Sequence, residues 1–272
     1  MSLSGEEVTT GMSLLDFAGK VVVVSGIGPG LGATLATKFA AAGADVVLAA
    51  RTQSRLDEVA AQITAAGRKA LTVATDITDE ASVANLVERA TETFGSVDVL
   101  VNNAFSIPSM KSLEKTDYQH IRDSVELTVV GTLRLTQELA GALAQSKGAV
   151  VNINSMVIRH SQIRYGSYKI AKAALLAMSQ SLATELGPQG IRVNSVVPGY
   201  MWGENLKGYF EHQAKKYGGT VEQIYEYTAA NSDLKRLPTT DEVANAVLFL
   251  ASDLASGITG QALDVNCGEF HA

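Results

Sequence analysis

Short apolar runs alternate with longer amphipathic stretches along this chain of 272 residues. The run at 20–26, KVVVVSG, is continuous, β-branched and closed by glycine, which predicts a parallel strand buried on both faces. Residues 32–43, GATLATKFAAAG, follow with helical spacing, and Gly43 suits the position just past a helix end. The alternation continues with strands over 45–50, 69–76 and 97–104, and with helices over 54–67 and 79–94, the latter capped by Asp79. A long helix is predicted over 115–145, a strand over 148–155, a second long helix over 164–187 and a strand over 190–199. Residues 200–238 break the pattern and read as irregular and polar. A capped helix at 239–252 and a strand at 261–265 complete the chain.

Strands alternating with helices imply βαβ units with right-handed crossovers. The expected fold is therefore α/β: a Rossmann-like, doubly wound parallel sheet of about seven strands, covered by helices on both faces. There is no internal repeat and no linker, so residues 17–272 are expected to form a single domain behind a flexible N-terminal extension at 1–16. In such sheets ligands bind beyond the carboxyl ends of the strands. That directs attention to the loops at 25–32, 50–52, 75–78, 102–111, 154–165 and 197–238.

Composition narrows the function. The chain is 46% hydrophobic and 18% charged, ample for a large core and unlike a disordered chain. Its net charge of −6 argues against nucleic acid or an anionic membrane as partner. Cys267 is the only cysteine, and His120, His160, His212 and His271 lack metal-ligand spacing, so no metal is expected. The N-terminus lacks the features of a signal peptide, and no apolar run is long enough to span a bilayer. A cytoplasmic enzyme or binding protein acting on a small molecule is the expectation.

The loop after the first strand reads SGIGPGLGA, with glycines at 26, 28, 30 and 32. Glycines there let the backbone approach a pyrophosphate seated at the next helix's N-terminus. Gly26, Gly30 and Gly32 fit G-x-x-x-G-x-G, while Gly28, Gly30 and Ala33 fit the looser G-x-G-x-x-A, so the loop alone leaves both patterns open. About 20 residues on, the second strand ends in Ala50 and Arg51. An acidic residue at that point would bind ribose hydroxyls; a guanidinium instead accepts a 2′-phosphate. Asp76, ending the third strand, could accept from an adenine amino group or cap its own turn. Asn102 reads as a brace beneath the cofactor floor.

SGIGPGLG, NNA, NINS, YGSYKIAKAAL, RVNSVVPG and ITGQALDV occur in this order, with Tyr168 and Lys172 in a Y-x-x-x-K register and Ser155 thirteen residues before Tyr168. In these motifs the chain resembles the compact single-domain short-chain dehydrogenases/reductases over roughly residues 17–268. The resemblance implies a catalytic set of Ser155, Tyr168 and Lys172, with Thr128 where an asparagine commonly helps hold a water behind the lysine. It implies cofactor contacts from Ser25, Gly26, Gly28, Gly30, Leu31, Gly32, Arg51, Asp76, Ile77, Asn103, Ala104, Tyr168, Lys172, Pro198, Gly199 and Met201. NADP(H) is favoured through Arg51 and NAD(H) is possible, since Pro29 stands where NADP(H)-preferring members often carry a second basic residue. The chemistry explains the residue types. A hydride moves at carbon while a proton moves at its oxygen, so an acid/base must touch that oxygen. A tyrosine with its ordinary pKa near 10 is only about 0.1% ionised at neutral pH. A neighbouring ammonium and an oxidised nicotinamide are expected to lower that value. Ser155 would donate a second hydrogen bond to the substrate oxygen, and Lys172 would bind the nicotinamide ribose.

In this family residues 200–238 would form a lid over the substrate. Seven of the chain's sixteen aromatic residues lie in 200–227: Tyr200, Trp202, Tyr209, Phe210, Tyr217, Tyr225 and Tyr227. Together with Phe105, Ile107, Met110, Met156, Val157, Ile163 and Tyr165 they suggest walls for a bulky apolar substrate, such as a steroid, terpenoid or other cyclic alcohol or ketone. Packing of the lid itself accounts for the aromatics equally well. The alternatives are a 3-oxoacyl thioester reductase and, in another class, a catalytically weak cofactor-binding regulatory protein. Phe105 in place of a glycine and Gly203 in place of a threonine depart from the family pattern. By resemblance, the expected assembly is a homotetramer or homodimer.

Overall fold

The structure of the protein, a computed structural model, describes residues 15–106 and 108–271. Ile107 and positions 1–14 of the expected N-terminal extension lie outside the described residues. The chain runs β1 (Val21–Ser25), α1 (Leu31–Ala41), β2 (Asp45–Ala50), α2 (Gln53–Ala65), β3 (Ala70–Ala74), α3 (Glu80–Phe94) and β4 (Val99–Asn102). It continues with α4 (Tyr118–Val125), α5 (Thr132–Ser146), β5 (Ala149–Ile153), α6 (Gly166–Leu186), β6 (Arg192–Pro198), α7 (Glu204–Tyr217), α8 (Val221–Ala229), α9 (Thr240–Ala251) and β7 (Ala262–Val265).

The seven strands form one parallel sheet in the order β3-β2-β1-β4-β5-β6-β7. Side chains alternate faces along each strand, so every strand feeds two cores. Val22, Val24, Leu48 and Val101 face Leu35 and Phe39 of α1 and Val243 and Val247 of α9. Val21, Val23, Leu100 and Val150 face Leu86 of α3, Leu135 and Leu139 of α5 and Leu182 of α6. Burial on both faces explains the unbroken valine runs. Because the chain winds outward from β1 to β3 and then crosses back to place β4 on the other side of β1, a crevice opens above the carboxyl ends of β1 and β4.

Two segments differ from expectation. The helix predicted over 115–145 is two helices, α4 and α5, joined by a wide π turn at Glu126–Gly131. Gly131 ends that turn against the loop after β3, where a Cβ would lie 2.8 Å from the Ile77 carbonyl oxygen. No proline or polar break marks the site, so the apolar spacing reads through it. The stretch at 200–238, expected to be irregular, contains α7 and α8. Its few apolar positions gather into a small cluster of their own, with Phe210, Ala229 and Leu237 buried against Trp202, Leu206 and Tyr225. A capping box between Thr220 and Gln223 starts α8. None of the described helices is long and apolar enough to cross a membrane.

Candidate active site

The glycine loop leaves the end of β1 through Gly26, whose φ of 95° lies in the region that side chains avoid. A Cβ there would come within 2.4 Å of the Ala104 nitrogen, so only glycine lets the loop lie this close to the end of β4. Asn103 pins the arrangement, its Nδ2 donating to the Gly26 carbonyl at 2.7 Å. Gly28 has nothing within 4 Å of its would-be Cβ and faces open space. These residues form the waist between two adjoining cavities. One, of about 290 Å³, extends over β2 and β3 to Arg51, Asp76 and Ile77. The other, of about 480 Å³, extends over β5 and β6 to Ser155, Tyr168 and Lys172. An elongated dinucleotide fits this groove: a backbone cradle at the waist, cations at one end and hydroxyl and ammonium groups at the other.

Ser155 lies two residues past β5 in extended backbone, and its Oγ accepts from the Val157 N–H at 3.4 Å. Tyr168 and Lys172 lie one turn apart on α6, with the lysine Nζ 5.7 Å from the phenol ring centroid. Burial pushes the Tyr168 phenol up to about 12, opposed by a hydrogen bond from Ser155. Lys172 is only 2% exposed, and burial draws its ammonium down to about 7. Its Nζ donates to the Ile153 carbonyl at 2.7 Å, and its own carbonyl accepts from Asn154 Nδ2 at 3.2 Å. The lowering of Tyr168 anticipated from the neighbouring ammonium is not what the protein's own groups produce. Desolvation dominates both residues and moves each toward its neutral form.

Thr128 lies in the π turn, 1% exposed, with no hydrogen-bond partner for its Oγ1 among the described residues. It lines neither cavity, although its neighbour Leu127 lines the one near Arg51. Asn102 donates to Asn152 at 2.9 Å and to Thr136 at 3.3 Å, a brace between β4, β5 and α5.

The structure brings most of the candidate cofactor residues to the groove. Ser25, Arg51, Asp76, Ile77 and Ala104 line its outer half. Leu31, Gly32, Pro198, Gly199 and Met201 line the inner half. Gly30 lies within the loop at φ 94°. Asp76 accepts from the N–H and hydroxyl of Thr78 at 2.9 and 2.7 Å, and these bonds, with Arg51 nearby, hold its carboxyl below the usual range. It therefore closes its own turn while facing the cavity.

The candidate substrate residues divide. Phe105, Met156, Val157, Tyr165 and Tyr200 line the inner cavity. The Tyr165 and Tyr200 hydroxyls lie 3.1 Å apart, and burial raises the Tyr165 pKa. Trp202 does not line it: its ring packs on Phe210 and Tyr225 at 5.8 and 4.6 Å, because the short helices α7 and α8 have no other core. Ile163 is also displaced, 84% exposed on the rim of a separate outer cavity. Of the remaining aromatics, Tyr209 lines the inner cavity, whereas Tyr217 and Tyr227 point into solvent.

Three residues that face this groove were not legible from the motifs. Arg55, one helical turn into α2, lines the same cavity as Arg51. Asn205, at the start of α7, lines the inner cavity and donates to the Pro29 carbonyl at 2.8 Å, tying α7 to the glycine loop. Gln162 lines the inner cavity from the loop before α6. The four-residue separation of Arg51, just before α2, from Arg55 in its first turn was the available signal.

A family model described as enoyl-(acyl carrier protein) reductase matches residues 26–269. The cis-4-hydroxycyclohexanecarboxylate dehydrogenase of Sinomonas cyclohexanicum is 36% identical over 253 residues, covering 93% of this chain and 97% of that one. L-sorbose reductase from Gluconobacter frateurii, solved with NADPH and L-sorbose, superposes with a TM-score of 0.90 at 30% identity, covering 95% of this chain and 99% of that one. A 7α-hydroxysteroid dehydrogenase, solved with NADH and 7-oxo glycochenodeoxycholic acid, gives a TM-score of 0.84 at 31% identity, with coverages of 93% and 95%. The chain belongs to the short-chain dehydrogenase/reductase family. It is an oxidoreductase of that family, whose chemistry exchanges a hydride between a nicotinamide and a CH–OH carbon.

Proposed function

We propose that this protein interconverts a secondary alcohol and a ketone on a bulky, mostly apolar cyclic substrate, with NADP(H) as the preferred cofactor. The observation that carries the reading is a single cavity containing Ser155, Tyr168 and Lys172, walled by Phe105, Met156 and Val157 and continuous with the one containing Arg51. When bound, the nicotinamide supplies or accepts the hydride. Gly26, Gly28 and Asn103 would hold the cofactor's middle, Pro198, Gly199 and Met201 its nicotinamide end, and Arg51 a 2′-phosphate. In reduction the neutral Tyr168 phenol donates its proton to the carbonyl oxygen, and a pKa of about 12 keeps that proton in place at neutral pH. Ser155 donates a second hydrogen bond to the same oxygen. In oxidation the charged form of Lys172 favours the phenolate that accepts the alcohol proton.

Substrate size is supported by the cavity's apolar walls and by the ring compounds named for the cyclohexanecarboxylate and hydroxysteroid dehydrogenases. Residues 200–238 serve in this reading as the lid, fastened to the glycine loop through Asn205. A 3-oxoacyl thioester reductase is the second reading, favoured by similarity to the 3-oxoacyl-(acyl-carrier-protein) reductase of Escherichia coli, 32% identical over 257 residues. The reading also carries a cytoplasmic location and a homodimer or homotetramer, the latter measurable by light scattering.

Tyr168→Phe tests the chemistry. Turnover of cyclic ketones should fall at least about 100-fold, the lower range for general acid catalysis, while NADPH binding is retained. An active Tyr168→Phe enzyme refutes the assignment, and consumption of acyl thioesters alone favours the second reading.

A further inference from the structure

Beside the inner cavity lies an outer one of about 570 Å³, lined by Met110, Lys111, Ser112, Lys115, Ile163 and Arg164. The two adjoin at Met110, which lines both, and Gln162 and Tyr165 of the inner cavity flank Ile163 and Arg164 in the chain. Three cations line the outer cavity and no carboxylate does. The side chains of Lys111 and Arg164 have no hydrogen-bond or ion-pair partner among the described residues. Lys115 comes within 3.9 Å of Glu114, but these side chains are 76% and 75% exposed, so water screens the contact. In a chain of net charge −6, this exposed cluster is a local patch of positive potential beside the cavity.

The cluster is held against the catalytic helix. A Cβ on Gly166 would fall 2.4 Å from the Leu113 Cγ, so the absence of a side chain there lets residues 112–115 lie on the first turn of α6. The Ser109 hydroxyl sits 3.4 Å from that of Ser167 and 3.3 Å from that of Thr116, closing the 109–116 segment onto the same turn. Met110 and Arg164 both have left-handed backbone, at φ 56° and 74°, conformations uncommon for residues with side chains. The three cations are thus placed at the mouth of an apolar cavity, beside the start of the helix that carries Tyr168.

We infer that the outer cavity binds a carboxylate at the far end of the substrate, so that the substrates are apolar cyclic alcohols or ketones carrying an acid. This rests on the function proposed above and specifies its substrate class. The ring lies against Phe105, Met156 and Val157, and the carboxylate reaches the guanidinium fork of Arg164 between Lys111 and Lys115.

The test compares 4-oxocyclohexanecarboxylate with its methyl ester in wild type and in a Lys111→Gln/Lys115→Gln/Arg164→Gln variant. Wild type should favour the acid in kcat/KM by about tenfold at low salt, the sum of several weak exposed pairs. That ratio should shrink at high salt and collapse in the variant. An acid-to-ester ratio near one in wild type, or a ratio unchanged in the variant, overturns the inference. Calorimetric titration with cyclohexanecarboxylate and its uncharged amide separates the two proposals. Carboxylate-selective binding lost in the variant supports the site even where neither ketone is consumed, a result that would count against the function alone. Turnover of both ketones without carboxylate-selective binding leaves the function standing and removes the site. A 3-oxobutanoyl coenzyme A thioester that loses rate in the variant, with the acid unaffected, would assign the cations to phosphate instead.

Discussion

Lys172 is costly to the fold when it is charged. Its side chain is 2% exposed, its Nζ donates to the Ile153 carbonyl at 2.7 Å, and burial draws its pKa from 10.5 to about 7. At about 1.4 kcal/mol per pH unit, the folded protein gives up roughly 5 kcal/mol for a charged Lys172 below pH 7. The unfolded chain binds the proton up to about 10.5, the folded one only to about 7, so between these values the unfolded state holds more protons. Stability from this residue therefore rises with pH across that window and is flat below it. Lys172→Met removes the charge and keeps the volume. It also gives up a hydrogen bond worth about 1 kcal/mol and leaves the Ile153 carbonyl unpaired, at a further 1–2 kcal/mol or so. The net expectation is a variant more stable than wild type by about 2 kcal/mol at pH 6, with the advantage gone by about pH 9. Urea unfolding of both proteins without cofactor, at matched protein concentration from pH 6 to 9, measures it. A variant no more stable at pH 6, or a difference independent of pH, would refute the reasoning. The same variant should be inactive, which marks the buried lysine as retained for chemistry at the expense of stability.

Arg51→Ala should weaken NADPH binding about tenfold, the loss of a charge-assisted contact, and leave NADH binding nearly unchanged; nicotinamide fluorescence titration reads both, and equal losses would dissociate Arg51 from a 2′-phosphate. Asn205→Ala removes the bond from α7 to the Pro29 carbonyl, and should raise the KM for cofactor by about two- to tenfold, in line with one hydrogen bond. Unchanged kinetics in Asn205→Ala would argue against closure of α7 over the glycine loop.

Much of the fold is legible in the chain because it rests on local rules. Short, continuous, glycine-bounded valine runs read as strands buried on both faces, and the helices between them imply parallel crossovers. The parts that were not legible share a physical cause. The π turn at Glu126–Gly131 leaves the apolar spacing intact, and its reason, the approach of Gly131 to the Ile77 carbonyl, lies 54 residues away in the chain. Helices α7 and α8 bury little, so their periodicity is faint, and their core exists only once both pack around Trp202. That packing also removes Trp202 from the cavity wall, so of the two roles open to the lid aromatics it takes the structural one. Arg55 and Asn205 carry no motif; a cavity edge and one cross-chain hydrogen bond reveal them.

The sequence by itself determined the sheet, the glycine turn and the spacing of Ser155, Tyr168 and Lys172, because strand burial and helical repeat depend on near neighbours. Only the tertiary structure decided how charged those groups are and which side chains face the same space. Burial sets the pKa values of Tyr168 and Lys172, and burial is a property of everything packed around them. The gathering of Lys111, Lys115 and Arg164 beside the inner cavity is of the same kind. Residues 111 and 164 are far apart along the chain, and they meet at one cavity mouth because Gly166 leaves room for Leu113.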